Sequence, residues 1–253
     1  MTVNIVTDSL GDVPSEVAEE LGITIIPISV LFGIKVYRNG VDLTTEQFYD
    51  KLMHSKTLPT TAVPPLDNFV NVYNRLAEET DEILVIAVSH KLSATYDTAL
   101  RAIELMKRKC RVEVIDSLGG AMAEGLIVIA AAKAAKVGAS LDEVVDLTRH
   151  NISRVEIRMA FDTLEYLKRG GRIGKAQAFL GSVLKVNPIL GLRDGEAYPF
   201  GRERSRAKAI DHLYNFATTF SHIEEMAVED ATTPDEAERL VERLSSKFPR
   251  ERI

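Results

Sequence analysis

Hydroxyl side chains are concentrated in one short stretch, Ser89-His90-Lys91-Leu92-Ser93-Ala94-Thr95-Tyr96. An apolar run typical of a buried strand, residues 83–88, precedes it, and apolar residues at helical spacing follow it. The stretch therefore places hydroxyls at a helix N-terminus, where unpaired backbone N–H groups favour an anion such as a carboxylate or phosphate. The alternative is that Ser89 or Ser93 only caps the helix.

Two further predicted strands end in polar pairs, Asp8-Ser9 near the start of the chain and Asp116-Ser117 after residues 112–115. Alternating strands and helices predict an α/β domain with a parallel sheet and helices on both faces. Ligands of such sheets sit outside the carboxyl ends of the strands. All three polar strand ends should therefore share one edge and form a binding site, unless they are only the polar loops found at this edge in any α/β protein.

Other turn and strand signals lie between these strands. The β-branched run of residues 23–32 predicts one strand, and Asn39-Gly40 predicts a hairpin turn. Pro59-Thr60-Thr61 predicts an extended loop whose hydroxyls come just before a helix that starts after Pro65.

The pattern changes after about residue 150. Strands are predicted at residues 157–161, 186–190 and 225–228, and Asp194-Gly195 signals a hairpin. Residues 176–184 are predicted to be helical, and Thr233 is predicted to cap a helix that starts at Pro234. We therefore expect two domains, residues 1–154 with a parallel sheet and residues 155–253 with a mainly antiparallel sheet.

Two basic features of the second half have open interpretations. The loop Arg169-Gly170-Gly171-Arg172-Ile173-Gly174 either brings its backbone close to a partner or forms a helix C-cap and turn. Arg202, Arg204 and Arg206 precede a helix, where they either bind an acidic or phosphorylated partner or form a solvated helix start.

The amino-acid composition excludes several classes of function for this protein. The 253-residue chain has a net charge of −6, which argues against a nucleic-acid binder, and its one cysteine, Cys110, excludes an intrachain disulfide. We find no signal peptide and no apolar run long enough to cross a membrane, so we expect a cytoplasmic protein. Metal-ligand spacings and a nucleophile elbow are absent from the sequence, so no metal or cofactor is expected.

Taken together and in order, the motifs resemble the DegV family of bacterial fatty-acid-binding proteins, and the resemblance covers nearly the whole chain. Its motifs here are residues 5–9, Pro59-Thr60-Thr61, Ser89 with residues 92–96, Asp116-Ser117, residues 167–173, residues 187–190 and Arg204.

This resemblance implies two α/β domains with a long-chain fatty acid between them, its carboxylate held by Thr61 and Ser93. Further candidate ligand contacts are Ser9, Thr60, Thr95, Ser117 and Arg172. The acyl chain is expected to meet Phe161, Phe179, Leu180 and Ile189, although each of these is also an ordinary core residue by type.

The resemblance further implies a carrier, not an enzyme. A separate fatty acid kinase subunit would phosphorylate the lipid for phospholipid synthesis, docking at Arg204 with Arg202 beside it. Transient contact with a membrane surface is also expected. The alternative is a small-molecule hydrolase or transferase that uses the same strand ends, for which His90 and Ser93 would be the candidate pair.

Three departures from the family pattern affect the head-group site. Ala62-Val63 replaces the usual Ser-Gln, and Ala94 replaces a glycine beside Ser93. The family pattern also continues beyond Ile253 with a segment whose histidine helps at the head group, so the site as read from this sequence is incomplete.

Overall fold

A computed structural model of the protein describes residues 3–180 and 186–253. The fold is α/β, as predicted. The chain forms two compact units, Met1–Val155 and Glu156–Ile253, whereas the sequence placed the boundary after residue 154.

The first unit contains seven described strands and six described helices. The strands are β1 (Asn4–Asp8), β2 (Thr24–Ile26), β3 (Ser29–Phe32), β4 (Lys35–Arg38), β5 (Thr60–Ala62), β6 (Glu82–Ala87) and β7 (Arg111–Asp116). The helices are α1 (Ser15–Leu21), α2 (Thr45–His54), α3 (Leu66–Leu76), α4 (Thr95–Ile103), α5 (Met122–Lys136) and α6 (Leu141–Ile152).

Four of these strands form a parallel sheet in the order β2-β1-β6-β7. Both faces of this sheet are buried, which explains why β6 is apolar from Ile83 to Ala87 and does not alternate between apolar and polar residues. Leu84 and Ile86 pack with α5 and α6 on one face, whereas Ile83 and Val85 pack with α3 and α4 on the other. The predicted parallel sheet with helices on both faces is therefore confirmed.

The strand predicted over residues 23–32 is wrong as a single element. It divides at Pro27 into β2, which belongs to the parallel sheet, and β3, which belongs to a separate antiparallel sheet of order β4-β3-β5. Proline has no backbone N–H to donate to a ladder, so the chain leaves the first sheet there.

The hairpin predicted at Asn39-Gly40 is also wrong. The hairpin joins β3 and β4 through Gly33-Ile34, with Gly33 at φ 62°. The Asn39-Gly40 segment makes a different turn, in which Asp42 Oδ2 accepts a hydrogen bond from Arg38 N. The predicted Thr60-Thr61 loop is strand β5 of this same small sheet.

The second unit is built around an antiparallel sheet of order β10-β9-β8. Its elements are β8 (Met159–Ala160), α7 (Glu165–Arg169), a 3-10 helix (Gly174–Phe179), β9 (Asn187–Arg193), β10 (Glu196–Glu203), α8 (Arg206–Ala217), α9 (Pro234–Leu244) and a second 3-10 helix (Arg250–Arg252). The predicted hairpin at Asp194-Gly195 is confirmed, since both residues have positive φ, 52° and 81°, as a type I′ turn requires.

Several other predictions for this unit need correction. The strand expected at residues 157–161 shortens to β8, and residues 225–228 form no strand. Met226 N instead donates to Arg252 O at 2.7 Å. The helix expected over residues 176–184 is the 3-10 helix as far as Phe179, and residues 181–184 lie outside the described residues. Thr233 is the N-cap residue of α9, but its side chain makes no capping hydrogen bond. Its backbone N donates to Asp230 Oδ1.

Candidate functional site

Backbone and side-chain bonds join the polar strand ends, as parallel packing predicts. Asp8, the last residue of β1, accepts hydrogen bonds from Val88 N and Leu10 N, each at 2.9 Å. Ser89 N donates to Gly119 O, and Ser117 N donates to Ala87 O. The loops that follow β1, β6 and β7 therefore meet at one edge of the parallel sheet.

A histidine–aspartate pair crosses this edge. His90 Nδ1 is hydrogen-bonded to the Asp116 carboxylate, whose Oδ1 also accepts from His90 N at 3.3 Å and from Leu118 N at 2.9 Å. The imidazole is partly open, with 41% of its side chain exposed. The bond to Asp116 therefore fixes the orientation of the His90 ring. It uses Nδ1, so Nε2 is the ring nitrogen that would face a ligand.

Ser89 organises the turn that leads into α4. Its carbonyl accepts hydrogen bonds from Leu92 N and Ser93 N, and its hydroxyl accepts one from Lys91 N at 3.2 Å. The side chain is completely buried. Ser89 thus stabilises the turn and presents the neighbouring Ser93.

Ser93 and Thr95 form a hydroxyl pair at the helix start, with their oxygens 2.8 Å apart. Thr95 is completely buried, while Ser93 is partly exposed. The N-cap residue of α4 is Ala94, which has no side-chain oxygen, so neither Ser89 nor Ser93 is its N-cap. The first N–H groups of α4 are therefore left without a side-chain cap, the arrangement that favours an anion.

Ser9 connects this edge to the small antiparallel sheet. Its Oγ accepts hydrogen bonds from Ile28 N at 3.1 Å and from Asn39 Nδ2 at 3.2 Å. A serine hydroxyl has two acceptor sites and one proton, so two accepted bonds leave the proton as its remaining group for a ligand.

Thr60 and Thr61 lie on β5, where both are exposed. Thr61 pairs with Val30 of β3, two residues beyond Ile28, whose N–H binds Ser9. Thr61 is thus connected to the strand ends through β3 and Ser9. No described hydrogen bond joins the Thr61 hydroxyl to Ser93.

Ser117 has a structural contact. It is 2% exposed, and its hydroxyl accepts a hydrogen bond from Gly119 N at 3.0 Å within the β7–α5 loop. Of the predicted ligand contacts in the first unit, Ser117 and Thr95 are thus buried, whereas Ser93, Ser9, Thr60 and Thr61 have exposed surface.

Two buried carboxyl groups, Asp8 and Glu124, lie behind the edge, and Glu124 is not among the predicted site residues. Thr7 Oγ1 donates to Glu124 Oε1 at 3.0 Å, and Glu124 Oε2 has no hydrogen-bond partner among the described residues. Burial, reinforced by the charge of Asp8, raises the pKa of Glu124 well above its usual value. Burial also raises the pKa of Asp8 to about 6, although the Val88 and Leu10 N–H groups oppose that shift.

Backbone strain is concentrated around Glu124. Asp12, Leu118 and Ala121 have positive φ values of 49°, 51° and 53°, and all three lie in the loops after β1 and β7. Ala121 N donates to Leu10 O at 2.7 Å, which ties these loops together. Strained non-glycine residues of this kind are typical of ligand sites because the surrounding structure must hold them.

The predicted acyl-chain contacts lie in the second unit and differ in burial. Phe161, Phe179 and Leu180 are partly buried and pack against a small apolar cluster. Ile189 is completely buried, as expected for the alternative of an ordinary core residue. Arg172 is exposed, and its Nη1 donates to Gly170 O at 2.6 Å within the glycine-rich turn.

The three arginines near α8 have different environments. The Arg202 guanidinium lies 3.9 Å from the Phe179 ring centroid. Arg206 pairs with Glu236 at 2.7 Å. Arg204 is exposed, and its side chain has no hydrogen bond, ion pair or ring contact among the described residues. The predicted cluster is therefore one free cation between two engaged ones.

An open cleft of about 520 Å³ lies between β10 and α8 of the second unit. Arg158 stacks against Phe200 and Phe216 in it, with its guanidinium carbon 3.3 Å and 4.4 Å from the ring centroids. None of the predicted acyl-chain contacts lines this cleft.

Within residues 3–180 and 186–253, no helix combines the length and apolar character needed to cross a membrane. The same residues contain no His, Cys, Asp and Glu group arranged to hold a metal ion.

The family model described as DegV family matches residues 2–253. The chain belongs to the DegV family. A DegV domain-containing protein of Clostridium perfringens is 34% identical, over 98% of this chain and 89% of that protein. Protein DegV of Bacillus subtilis is also 34% identical, over 98% of this chain and 90% of that protein.

Solved DegV structures share the fold. The B. subtilis structure, described as a fatty acid binding protein, has a TM-score of 0.90 and 32% identity, covering 99% of this chain and 90% of that one. A Thermus thermophilus structure described by its fatty acid binding has a TM-score of 0.85 and 31% identity, covering 98% and 90%.

Proposed function

We propose that this DegV protein binds a long-chain fatty acid, with the carboxylate held by Ser93 Oγ, Thr61 Oγ1 and the N-terminal N–H groups of α4. The observation that carries the proposal is the Ser93–Thr95 hydroxyl pair, 2.8 Å apart, at a helix start whose N-cap is Ala94. The fatty-acid-binding relatives support the choice of a carboxylate over other anions.

The neighbouring acids are compatible with a bound anion. The oxygens of Asp8 accept from two backbone N–H groups, and Asp116 is bonded to His90 and to Leu118 N. Burial raises the pKa of Glu124 well above its usual value and so favours its uncharged form. Most of the negative charge behind the edge is therefore neutralised or hydrogen-bonded before a ligand arrives.

Burial of the acyl chain supplies most of the affinity. At about 0.8 kcal/mol per buried CH₂, a chain of about sixteen carbons contributes on the order of 10 kcal/mol. The carboxylate then needs only directed donors, which hydroxyls and backbone N–H groups provide. We propose that Phe161, Phe179 and Leu180 contact the chain and that Arg172 lies near the ligand.

As a carrier, the protein would present the bound lipid to a separate fatty acid kinase for acyl-phosphate formation and phospholipid synthesis. Arg204 supports this part of the proposal, because its exposed guanidinium is available to an acidic surface. Arg202 would contribute less, since it already stacks on Phe179.

A hydrolase or transferase is the alternative, and the Asp116–His90 pair near Ser93 is the feature that favours it. A nucleophilic serine needs its base within hydrogen-bond reach, and the described hydrogen bond of Ser93 Oγ goes to Thr95 Oγ1 instead of to His90. The carrier is therefore the better account. Release of product from an acyl ester or acyl phosphate by the purified protein, lost in His90→Ala, would reverse this choice.

The test is to strip the protein of lipid and titrate it with palmitate, hexadecanol and methyl palmitate. These share one chain, so their differences isolate the carboxylate. We expect palmitate to bind at least tenfold more tightly, since a hydrogen bond to a charged group contributes roughly 1.5–3 kcal/mol. Equal affinity for all three would contradict the proposed head-group site.

A further inference from the structure

The open cleft between β10 and α8 offers cations to a ligand, whereas the acids that line it are already engaged. Glu203 Oε1 lies 3.0 Å from His212 Nδ1, and Asp211 pairs with Arg243 at 2.9 Å. Lys208 also lines the cleft, is exposed and forms no ion pair with the described residues. A cleft of about 520 Å³ has room for a small organic molecule, and its charges favour an anionic one.

Arg158 is the most buried cation of this cleft. Its guanidinium carbon lies 3.3 Å from the Phe200 ring centroid and 4.4 Å from that of Phe216, and its side chain is 12% exposed. Nη1 donates to Glu156 Oε2 at 2.9 Å and to Ile157 O at 2.8 Å, whereas Nε and Nη2 have no described hydrogen bond. The edge formed by Nε and Nη2, whose N–H groups can bind one oxyanion together, is therefore left for a ligand.

Gly191 lets the Phe200 ring lie where it supports Arg158. A Cβ at position 191 would lie 2.8 Å from the Phe200 ring and 2.3 Å from Ile157 O, closer than non-bonded atoms approach. Phe200 therefore packs directly on the backbone of β9. Since two rings hold the guanidinium in one orientation, its open edge is preorganised for a ligand.

A second arginine lies on the same aromatic side chains of β10. The Arg193 guanidinium carbon is 4.0 Å from the Tyr198 ring centroid and 5.2 Å from that of Phe200. Arg193 is exposed and has no hydrogen bond or ion pair within residues 3–180 and 186–253. Burial, and to a smaller extent the charge of Arg193, lowers the pKa of Arg158, although Glu156 opposes the shift. A bound anion would relieve the repulsion between these two arginines.

We propose that the cleft between β10 and α8 binds a small organic phosphate, in the form of a phosphate monoester. Two phosphate oxygens accept hydrogen bonds from Nε and Nη2 of Arg158, the bidentate geometry that a guanidinium offers. Lys208 and Arg193 supply the charge that balances a dianion. These residues all belong to the second unit, whereas the carboxylate contacts proposed above belong to the first. The inference therefore goes beyond fatty-acid binding and does not depend on it.

The test is isothermal titration calorimetry of the purified protein with phenyl phosphate, benzoate and phenol, with and without excess palmitate. The three probes share one ring, so their differences isolate the charged group, and only the phosphate carries nearly two negative charges at neutral pH. We expect phenyl phosphate to bind at least tenfold more tightly than benzoate, and phenol to bind most weakly. Palmitate should leave this order unchanged, and added salt should weaken phosphate binding.

Three variants test the cations that the proposal names. Arg158→Lys keeps the charge but removes the planar fork, so affinity for phenyl phosphate should fall roughly tenfold or more. Arg193→Ala and Lys208→Ala remove exposed charges and should each lower it roughly two- to fivefold. Matched controls are Arg239→Ala and Lys247→Ala, at exposed residues of the second unit that do not line the cleft.

Circular dichroism checks that each variant is folded, and the two alanine variants at exposed positions keep the test open if Arg158→Lys does not fold. Absence of phenyl phosphate binding at millimolar concentration overturns the inference, as does benzoate binding of equal affinity. Full binding by the cleft variants, equal loss in the controls, or displacement of phenyl phosphate by palmitate also overturns it. Palmitate affinity should be the same in every variant, so failure of the phosphate site is distinguishable from failure of fatty-acid binding.

Discussion

Thr95 Oγ1 lies 2.8 Å from Ser93 Oγ, and only Ser93 has exposed surface. The buried hydroxyl therefore orients the accessible one, and its effect on a ligand should pass through Ser93.

Thr95→Val keeps the side-chain shape but removes this contact. We expect palmitate affinity to fall roughly two- to tenfold, the equivalent of about 0.5–1.5 kcal/mol for a neutral hydrogen bond. Thr98→Val is the matched control, because the Thr98 hydroxyl on the same helix donates to Ala94 O. In a double-mutant cycle, Thr95→Val should cost little once Ser93→Ala is present, and additive losses would contradict the orienting role.

The raised pKa of Asp8 predicts how stability changes with pH. Since the folded-state pKa is about 6 and the ordinary value is 3.8, the folded protein holds this proton more tightly than the unfolded chain. The stabilisation from Asp8 is present at low pH and is lost as pH rises through about 6, by on the order of 3 kcal/mol. Urea unfolding from about pH 4 to about pH 7 measures it.

Asp8→Asn is the control for this dependence, because asparagine does not titrate. The variant should be less stable at neutral pH, since one of the N–H groups of Leu10 and Val88 loses its carboxylate acceptor. Its unfolding free energy should nevertheless vary less across the same pH range. A wild-type profile as flat as that of the variant would contradict the assignment.

Glu124→Gln tests whether the buried glutamate is neutral. Glutamine can still accept from Thr7 Oγ1, and it cannot ionise. We expect the variant to gain stability relative to wild type as pH rises, because the raised pKa of Glu124 makes the wild type lose stability as pH rises through it. Glu124→Ala should lose about 2 kcal/mol or more because it leaves a cavity. If Glu124→Gln is strongly destabilised at every pH, an ionised Glu124 must have a stabilising partner.

Arg204 is the test position for the kinase partner. Arg204→Glu should abolish phosphorylation of the bound lipid by a fatty acid kinase while the fatty-acid content stays unchanged. Arg239→Glu, at another exposed arginine of the second unit, is the control. Loss of phosphorylation together with loss of lipid would instead indicate misfolding or a head-group role, and equal activity of both variants would remove Arg204 from the docking surface.

The central strand β6 was predictable because its sequence shows that both of its faces are buried. Residues 83–88 are apolar throughout, as a strand covered on both faces must be. Turn residues predicted the hairpin less reliably. Asn39-Gly40 is the stronger hairpin signal, yet Gly33-Ile34 forms the hairpin. The position of the hairpin is set by the pairing of β4 with β3, in which Tyr37 lies opposite Val30 and both pack in the same core. The turn propensity of a few residues contains no information about this pairing.

The head-group candidates Ser93 and Thr61 came from motifs, whereas the groups that support them depend on long-range contacts. Thr7 and Glu124 are 117 positions apart. A lone glutamate in the otherwise apolar start of α5 was the available signal, but its partner could not be read from spacing. The different environments of Arg202, Arg204 and Arg206 likewise depend on Phe179 and Glu236, which local sequence does not place nearby.

The central claim is that Ser93 and Thr61 hold the carboxylate, and the most direct measurement is native mass spectrometry of the purified wild type, Ser93→Ala and Ser93→Ala/Thr61→Ala, with circular dichroism on each. Ser93→Ala should weaken fatty-acid binding roughly ten- to a hundredfold. The double variant should be folded and nearly empty, or should carry only uncharged lipids, because an unpaired buried carboxylate costs more than the lost bonds. A folded double variant with a full complement of free fatty acid would contradict this account of the site.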